Sequence, residues 1–572
     1  MKFYNDLLEN SKNSLGLMCL AAAWLFPFSS GGSRDALQQI FGLAMFGAAS
    51  LLFGMATIPP LSTALLAAAM LLMAIAPSNY LGGQVAGLAG IALLGVAMHV
   101  GTHLQRKPAQ LAWLLFAIVI AAFVNAIEGL LQLFGLVSGL WPWVVEPEKR
   151  GVAFGAFRQQ NLFATFLCVG VVCVNWLVQA RRLTEAMAWF LLVILVFAIT
   201  ASGSRSGGLE LIALAMAGLL WRKQQSSVIT RLQVGPVFLY GLATVLLPIA
   251  SAWHSIGFVT GAARVADVSQ DSRFILWRNA IALIRDRPWT GWGWREMSYG
   301  HYVTLFERRR AESLDNAHNL FLQVAVEFGL PLAFGLMVIL LWLIYVGRPW
   351  RVALHSSQIN QNPAFARQFA WAILMLIGIH SMVEFPLWFA SFLFLAGFAV
   401  GFLQPVSLAS IERSKYGLWR TKLGLMGALF LIALACVAWN QYTTVLQIYK
   451  APFNDQTAQR AAIAKAEASS IELFRGHVEF AAISQIKVTP ENAPDVRQKA
   501  EKLLHFSAEP AVIRQLLESL FYLKDIDAFD FHAERFCRAF PVHFHHWVKA
   551  FAAKSTSLDV DKLPKGCLPK VS

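Results

Sequence analysis

Apolar runs of about 20 residues recur along most of this 572-residue chain, and they constrain its fold more than any other feature. Runs of that length read as membrane-spanning helices. Thirteen fall near 14–29, 36–56, 60–77, 84–100, 110–137, 161–179, 184–201, 206–221, 232–253, 319–346, 368–384, 387–405 and 423–440. The first, "SLGLMCLAAAWLFPF", lacks a small-residue cleavage site and is followed by further spans, so it reads as a retained helix. Some runs are short for a 30 Å hydrocarbon core, which leaves room for a re-entrant segment or two. The fold class is all-α, a polytopic membrane protein. The expected organisation is a transmembrane bundle over 1–253, a large loop over 254–318, further transmembrane helices over 319–440 and a soluble helical domain over 441–572. That last region mixes polar and apolar residues at helical spacing, as in "VRQKAEKLLHFSAEPAVIRQLLESLFYL", and shows no strict repeat.

Loop charges alternate. One set of loops holds fourteen Lys and Arg, with Lys2 and Lys12 on the same side, while the opposite short loops hold five: Arg34, Lys149, Arg150, Arg158 and Arg205. The positive-inside rule then predicts a cytoplasmic N-terminus. With thirteen spans, the loop 254–318, His318 and the C-terminal domain face outward. The chain is 57% hydrophobic and carries a net charge of +14. No basic stripe lies on a soluble domain, so nucleic acid is not an expected partner, and membrane lipids are. Cys19, Cys168, Cys173 and Cys436 sit in apolar runs as small core residues. Cys537 and Cys567 lie in the C-terminal domain, where a disulfide is open to them if that domain is extracytoplasmic.

The outward loop holds nine arginines and no lysine: Arg264, Arg273, Arg278, Arg285, Arg287, Arg295, Arg308, Arg309 and Arg310. Solubility and topology are served by either cation, whereas guanidinium adds a planar fork that grips phosphate oxygens in pairs. Part of the set is expected to pair with nearby Asp and Glu, and "ERRR" reads as a solvated face. Arg273 and Arg278 differ, because "DSRFILWRNAIALI" is an amphipathic helix that would lie along the bilayer within reach of phosphate.

Four more stretches carry polar groups at span ends. In "TASGSRSGGLE", Arg205 either does a job or snorkels. In "RQQN", Gln160 and Asn161 read either as an ordinary helix start or as substrate ligands. In "DNAHNLFLQVAVEFGL", His318 and Asn319 stand where the chain turns apolar; His318 is either an interfacial residue or a proton acceptor at the membrane surface. In "IGIHSMVEFPLWFASF", His380 and Glu384 are spaced i, i+4, either as a pair that orients helices or as functional groups. No Walker loop, H-E-x-x-H or C-x-x-C occurs, so no cofactor or metal is expected. "DID" at Asp525 and Asp527 reads as a solvated helix face.

In order and spacing, "SGSRSG", "SRFILW…PWTGWGW", "DNAHNLFLQVAVEFGLPL" and "HSMVEFPLW" resemble the O-antigen ligase and polymerase superfamily of bacterial inner membranes. The last motif and the C-terminal domain resemble its protein O-oligosaccharyltransferase branch, the PglL-like pilin-glycosylating enzymes. The resemblance implies a GT-C-like membrane enzyme that moves a glycan from an undecaprenyl diphosphate carrier to an acceptor hydroxyl in the periplasm. It places the family's histidine on His318, its span-end arginine on Arg205 and its loop arginine on Arg273; Arg278 is added by helical proximity. Gln160, Asn161, Asn319, His380 and Glu384 complete the expected substrate-binding set. The implied partners are the lipid-linked oligosaccharide and a protein such as pilin. Ligation to lipid A-core and glycan polymerisation are alternatives within the class, and a lipid-linked oligosaccharide flippase is one outside it.

Overall fold

The computed structural model describes residues 2–28, 33, 35–76, 78–148, 150–223, 225–253, 256–258, 272–307, 314–350, 363–404, 415–451 and 455–553. Every regular element among them is helical. The N-terminal half runs through α1 (Lys2–Leu25), α2 (Ala36–Phe53), α3 (Pro60–Ile75), α4 (Leu81–Leu104), α5 (Pro108–Leu133), α6 (Gln160–Gln179), α7 (Glu185–Ala201), α8 (Arg205–Trp221) and α9 (Ser227–Trp253). The middle adds α10 (Ser272–Asp286), α11 (Met297–Val303), α12 (Leu320–Phe328), α13 (Leu330–Gly347), α14 (Pro363–Ser381) and α15 (Ala390–Phe402). A long α16 (Lys415–Lys450) leads to α17 (Gln456–Glu467), α18 (Arg475–Ser484), α19 (Ala493–Leu504), α20 (Pro510–Leu523), α21 (Ile526–Ala539) and α22 (Pro541–Ala552).

Among the described residues, seven helices are long and apolar enough to cross a membrane: α2, α4, α5, α6, α9, α13 and the Trp419–Lys450 stretch of α16. Shorter apolar helices fill 60–75, 185–201 and 390–402. Burial sorts their roles. α6 is enclosed nearly all round and forms the central post, whereas α13 is apolar but exposed along almost its whole length, as a helix facing lipid must be. α4 and α15 approach closely because glycine removes the side chain at the crossing. A Cβ on Gly101 would stand 2.1 Å from the Phe398 carbonyl oxygen, and one on Gly401 the same distance from that of Met98.

Three of the boundaries that differ from the sequence reading bear on the site and the C-terminal helices. The span expected over 319–346 is two helices, broken at Gly329, whose φ of 86° is left-handed and whose Cβ would meet the Trp289 carbonyl oxygen at 2.4 Å. The span expected over 368–384 ends at Ser381, so Glu384 lies in the turn beyond it. The division at 440 falls inside α16, which continues to Lys450 and ties the membrane region to the C-terminal helices through Tyr442, Val445 and Ile448.

From α17 to α22 each helix packs on the next. Their core, built on Leu516, Leu520, Phe536, Phe544 and Trp547, also takes in Tyr302 of α11. More contacts fix the domain against the 294–303 segment and the start of α4. The Tyr302 hydroxyl meets His532 Nδ1 at 2.9 Å, Arg535 Nε donates to the Val303 carbonyl at 2.6 Å, and His505 Nδ1 meets Glu296 at 2.7 Å. Tyr80 donates to Glu479 at 2.9 Å. Cys537 is fully buried and disulfide-bonded, as its position allowed; Cys567, the partner considered for it, lies outside the described residues. Arg264, Arg308, Arg309 and Arg310 also lie outside them. Asp525 is no idle face: its carboxylate caps α21 by accepting from Ala528 N at 3.2 Å.

Candidate active site

Three helices begin, and one ends, around a single carboxylate. α6 opens after Gln159, α8 after Ser204 and α12 after Asn319, while α14 stops at Ser381 and hands the chain to the turn that carries Glu384. The starts are coded locally: Ser204 Oγ accepts from Gly207 N, and Asn319 Oδ1 accepts from Phe321 N and Leu322 N at 3.1 Å. Helix N-termini collected in this way favour an anion.

Glu384, 6% exposed, is that anion in the free protein. Its Oε1 accepts from Arg273 Nη2 at 2.6 Å and from Asn161 Nδ2 at 2.9 Å. Its Oε2 meets His318 Nδ1 at 2.8 Å and accepts from Gln159 Nε2 at 3.4 Å. Burial alone pushes this carboxyl upward, but the hydrogen bond and charge of His318, together with Arg273, outweigh it and hold the group down at about 2. A carboxylate only accepts, so Nδ1 of His318 carries the proton and Nε2 is left as the basic nitrogen. The ring plane is fixed a second way, by an edge-on contact with Phe385 at 5.0 Å and 81°. The His318 backbone is left-handed, φ 50°, and its N–H donates to Asn316 Oδ1 at 2.7 Å. A histidine in that conformation is uncommon and is over-determined here by its neighbours. The imidazole is 29% exposed, so part of the ring is open to solvent.

Most residues picked from the sequence converge here. Asn161 binds Glu384 directly and accepts from Ser204 Oγ at 2.7 Å, which brings the residue before Arg205 into the same network. Gln160 turns its amide to the Ser202 carbonyl, and Asn319 donates to the Met382 carbonyl at 3.1 Å, so both brace the loops. Two residues stand apart. Arg278 is exposed and pairs with Glu307 at 2.6 Å on a solvated face, because the helical step from 273 to 278 turns it away from Arg273. His380, fully buried, meets Thr165 Oγ1 at 2.7 Å, and that hydroxyl also donates to Glu210 at 2.7 Å. His380 and Glu384 therefore do not act as an i, i+4 side-chain pair, since Glu384 is past the helix end. Gln159, Ser204, Thr165 and Glu210 join the network beyond the expected set; Gln159 and Ser204 adjoin expected residues, Glu210 is an ionisable residue within an apolar run to which the sequence assigns no role, and Thr165 carries no signal. Two buried atoms at the cluster, Gln159 Oε1 and Asn316 Nδ2, have no hydrogen-bond partner among the described residues. The described residues hold no group of three or more His, Cys, Asp or Glu placed to bind a metal.

Comparison with known proteins places the chain among membrane glycan-handling families. Residues 190–337 match the family model described as O-Antigen ligase, a stretch that includes Arg205, Arg273 and His318. Residues 368–554 match the model described as virulence factor membrane-bound polymerase, C-terminal, which takes in Glu384 and the C-terminal helices. A "General O-oligosaccharyltransferase" of Acinetobacter baylyi (strain ATCC 33305 / BD413 / ADP1) is 24% identical over 347 residues, covering 56% of this chain and 56% of the relative. A "ComP-specific O-oligosaccharyltransferase" of the same strain is 22% identical over 319 residues, covering 55% and 54%. The chain thus spans about half the length of the curated relatives it matches. With both family models matched in order along one chain, and the four motifs gathered at one end of the bundle, this protein belongs to the O-antigen ligase and polymerase superfamily.

Proposed function

We propose that this protein transfers a glycan from undecaprenyl diphosphate to a serine or threonine hydroxyl of a protein, at the periplasmic side of the bacterial inner membrane. The Glu384–His318 contact carries the reading. With Nδ1 held by the carboxylate, Nε2 takes the proton of the acceptor hydroxyl as that oxygen bonds the anomeric carbon and the bond from that carbon to the diphosphate oxygen breaks. Charge grows on the departing lipid diphosphate. Arg205 and Arg273 meet it with their guanidinium charge, beside the N-termini of α6, α8 and α12. The disulfide at Cys537 supports an oxidising compartment for the C-terminal domain, hence a cytoplasmic N-terminus.

Lipid A-core ligation and polymerisation share this chemistry and differ only in the acceptor. A C-terminal domain docked on the 294–303 segment favours a protein acceptor, and both curated relatives are named as O-oligosaccharyltransferases. A flippase needs cations accessible along a central path; here Arg273 is committed to a carboxylate at one end. The deciding experiment offers the purified full chain an undecaprenyl diphosphate oligosaccharide together with pilin, lipid A-core or free glycan, and reads product masses. Sugar on pilin is expected, and sugar on none of them sinks the proposal. His318→Ala should lower kcat by about 10²–10⁴-fold with the fold intact. Arg205→Lys should lose about 10²-fold if forked contact with phosphate matters, and full activity with lysine would show that charge suffices.

A further inference from the structure

The polar cavity at the other end of α4 has no part in this chemistry. α4 is 24 residues long, about 36 Å at 1.5 Å per residue. Its first turn follows Tyr80, which bonds the C-terminal domain, and its last turn ends at a recess of about 350 Å³. The polar lining is Thr57, His103, Arg106, Lys107 and Thr421, drawn from the loop after α2, the last turn of α4, the α4–α5 turn and α16. Among the described residues, none that lines it bears a carboxylate. Arg420, which adjoins Thr421 in the chain, is only 8% exposed.

The recess is held open by specific contacts. Ala56 N donates to the His99 carbonyl at 3.1 Å while His99 Nδ1 donates to the Ala56 carbonyl at 2.7 Å, which fixes the 54–59 loop on α4. Thr57 and Thr421 hydroxyls meet at 2.7 Å and pin α16 to that loop. α5 starts at Pro108, directly after Lys107, so its unpaired N–H groups add a partial positive charge at the same place. The positive-inside rule explains lysine and arginine in such a turn but leaves them in water. It does not explain a formed recess with three cationic or ionisable side chains, two hydroxyls and a helix N-terminus around one volume. Basic pockets between helix ends on this face suit anionic lipid headgroups.

We propose that this recess binds the phosphodiester headgroup of an anionic phospholipid of the leaflet opposite His318, with Arg106 and Lys107 on the phosphate oxygens and the threonine hydroxyls on the glycerol side. The test is native mass spectrometry of the purified full chain titrated with phosphatidylglycerol, phosphatidylcholine or inorganic phosphate, with melting temperature followed in parallel. Phosphatidylglycerol should remain bound and raise the melting temperature, and phosphatidylcholine should bind several-fold more weakly. Arg106→Gln with Lys107→Gln should weaken phosphatidylglycerol binding about tenfold or more, whereas Arg222→Gln with Lys223→Gln, exposed cations of another loop, should leave it unchanged. Lys107→Gln alone, at an exposed position that cannot unfold the protein, should give a smaller loss of the same kind. Equal loss in the two double variants, no loss in either, or inorganic phosphate stabilising as well as the lipid would each overturn the assignment.

Discussion

At the scale of single residues, the decisive group is Glu384. It receives His318, Arg273, Asn161 and Gln159, so one side chain sets the tautomer of the proposed base and the position of a proposed phosphate ligand. Glu384→Gln replaces an acceptor-only group by one that donates, and should lower kcat by about 10²-fold or more while donor affinity changes far less. Glu384→Asp should recover part of the loss; equal activity in the glutamine variant removes the positioning role. The pH sign follows from the carboxyl being held at about 2, below its ordinary 4.5. Its stabilisation is complete above pH 4.5 and is lost as pH falls from there through about 2. The wild type should therefore melt above Glu384→Gln at pH 7, and the gap should close on acidification below pH 4.5. In the sequence His318 and Arg205 stand out as costly residues at span ends, and Arg273 as an arginine of an amphipathic helix in the outward loop. Glu384 stands out there as an ionisable residue beside an apolar run, but its partners do not. The i, i+4 rule that joined it to His380 holds only inside a helix, and α14 ends at Ser381.

At the scale of elements, the site rests on a hidden tie. Thr165 on α6, Glu210 on α8 and His380 on α14 are all fully buried and hydrogen-bonded in sequence, about one turn along each helix from Asn161, Arg205 and Glu384. One hydroxyl thus sets the spacing of three helices whose ends carry the chemistry. Thr165→Val keeps the shape but strands two buried polar partners, which should cost about 1–3 kcal/mol of stability. It should also lower kcat more than donor affinity, because helix ends shift relative to one another. Thr165→Ser should restore both, which a mere packing role for the methyl group would not allow. Helix positions were readable from apolar run length, since backbone pairing in lipid leaves little choice. The break at Gly329 was not, although Gly-Leu-Pro stands there in the sequence, because what forces it is the Trp289 carbonyl, distant in the chain. The Thr165 tie was hidden for a related reason: a threonine in an apolar helix is ordinary until the helices beside it are known.

At the scale of the whole molecule, the question is how firmly the C-terminal helices are seated beside the site. Two buried histidines bear on the seam. Burial, then the charge of Arg295, lowers His477 to about 4; burial, then Arg535 and Arg497, lowers His532 to about 4. His532 bonds Tyr302 of the neighbouring segment, so undocking frees it to water. An ordinary imidazole takes its proton near 6.5. Between 6.5 and 4 the undocked state therefore binds protons that the docked state refuses, and docking, complete above that window, weakens as pH falls through it. Hydrogen exchange in α18 and α21, corrected for intrinsic rates, should quicken from pH 7.5 to pH 5, while exchange in the enclosed α6 stays the same. His532→Asn, which cannot take up a proton, should flatten part of that dependence. Identical protection at the two pH values would show that the seam does not sense acid, and that its tie to the 294–303 segment is held by contacts such as those of Arg535, Glu296 and Tyr302 whatever the charge of His532.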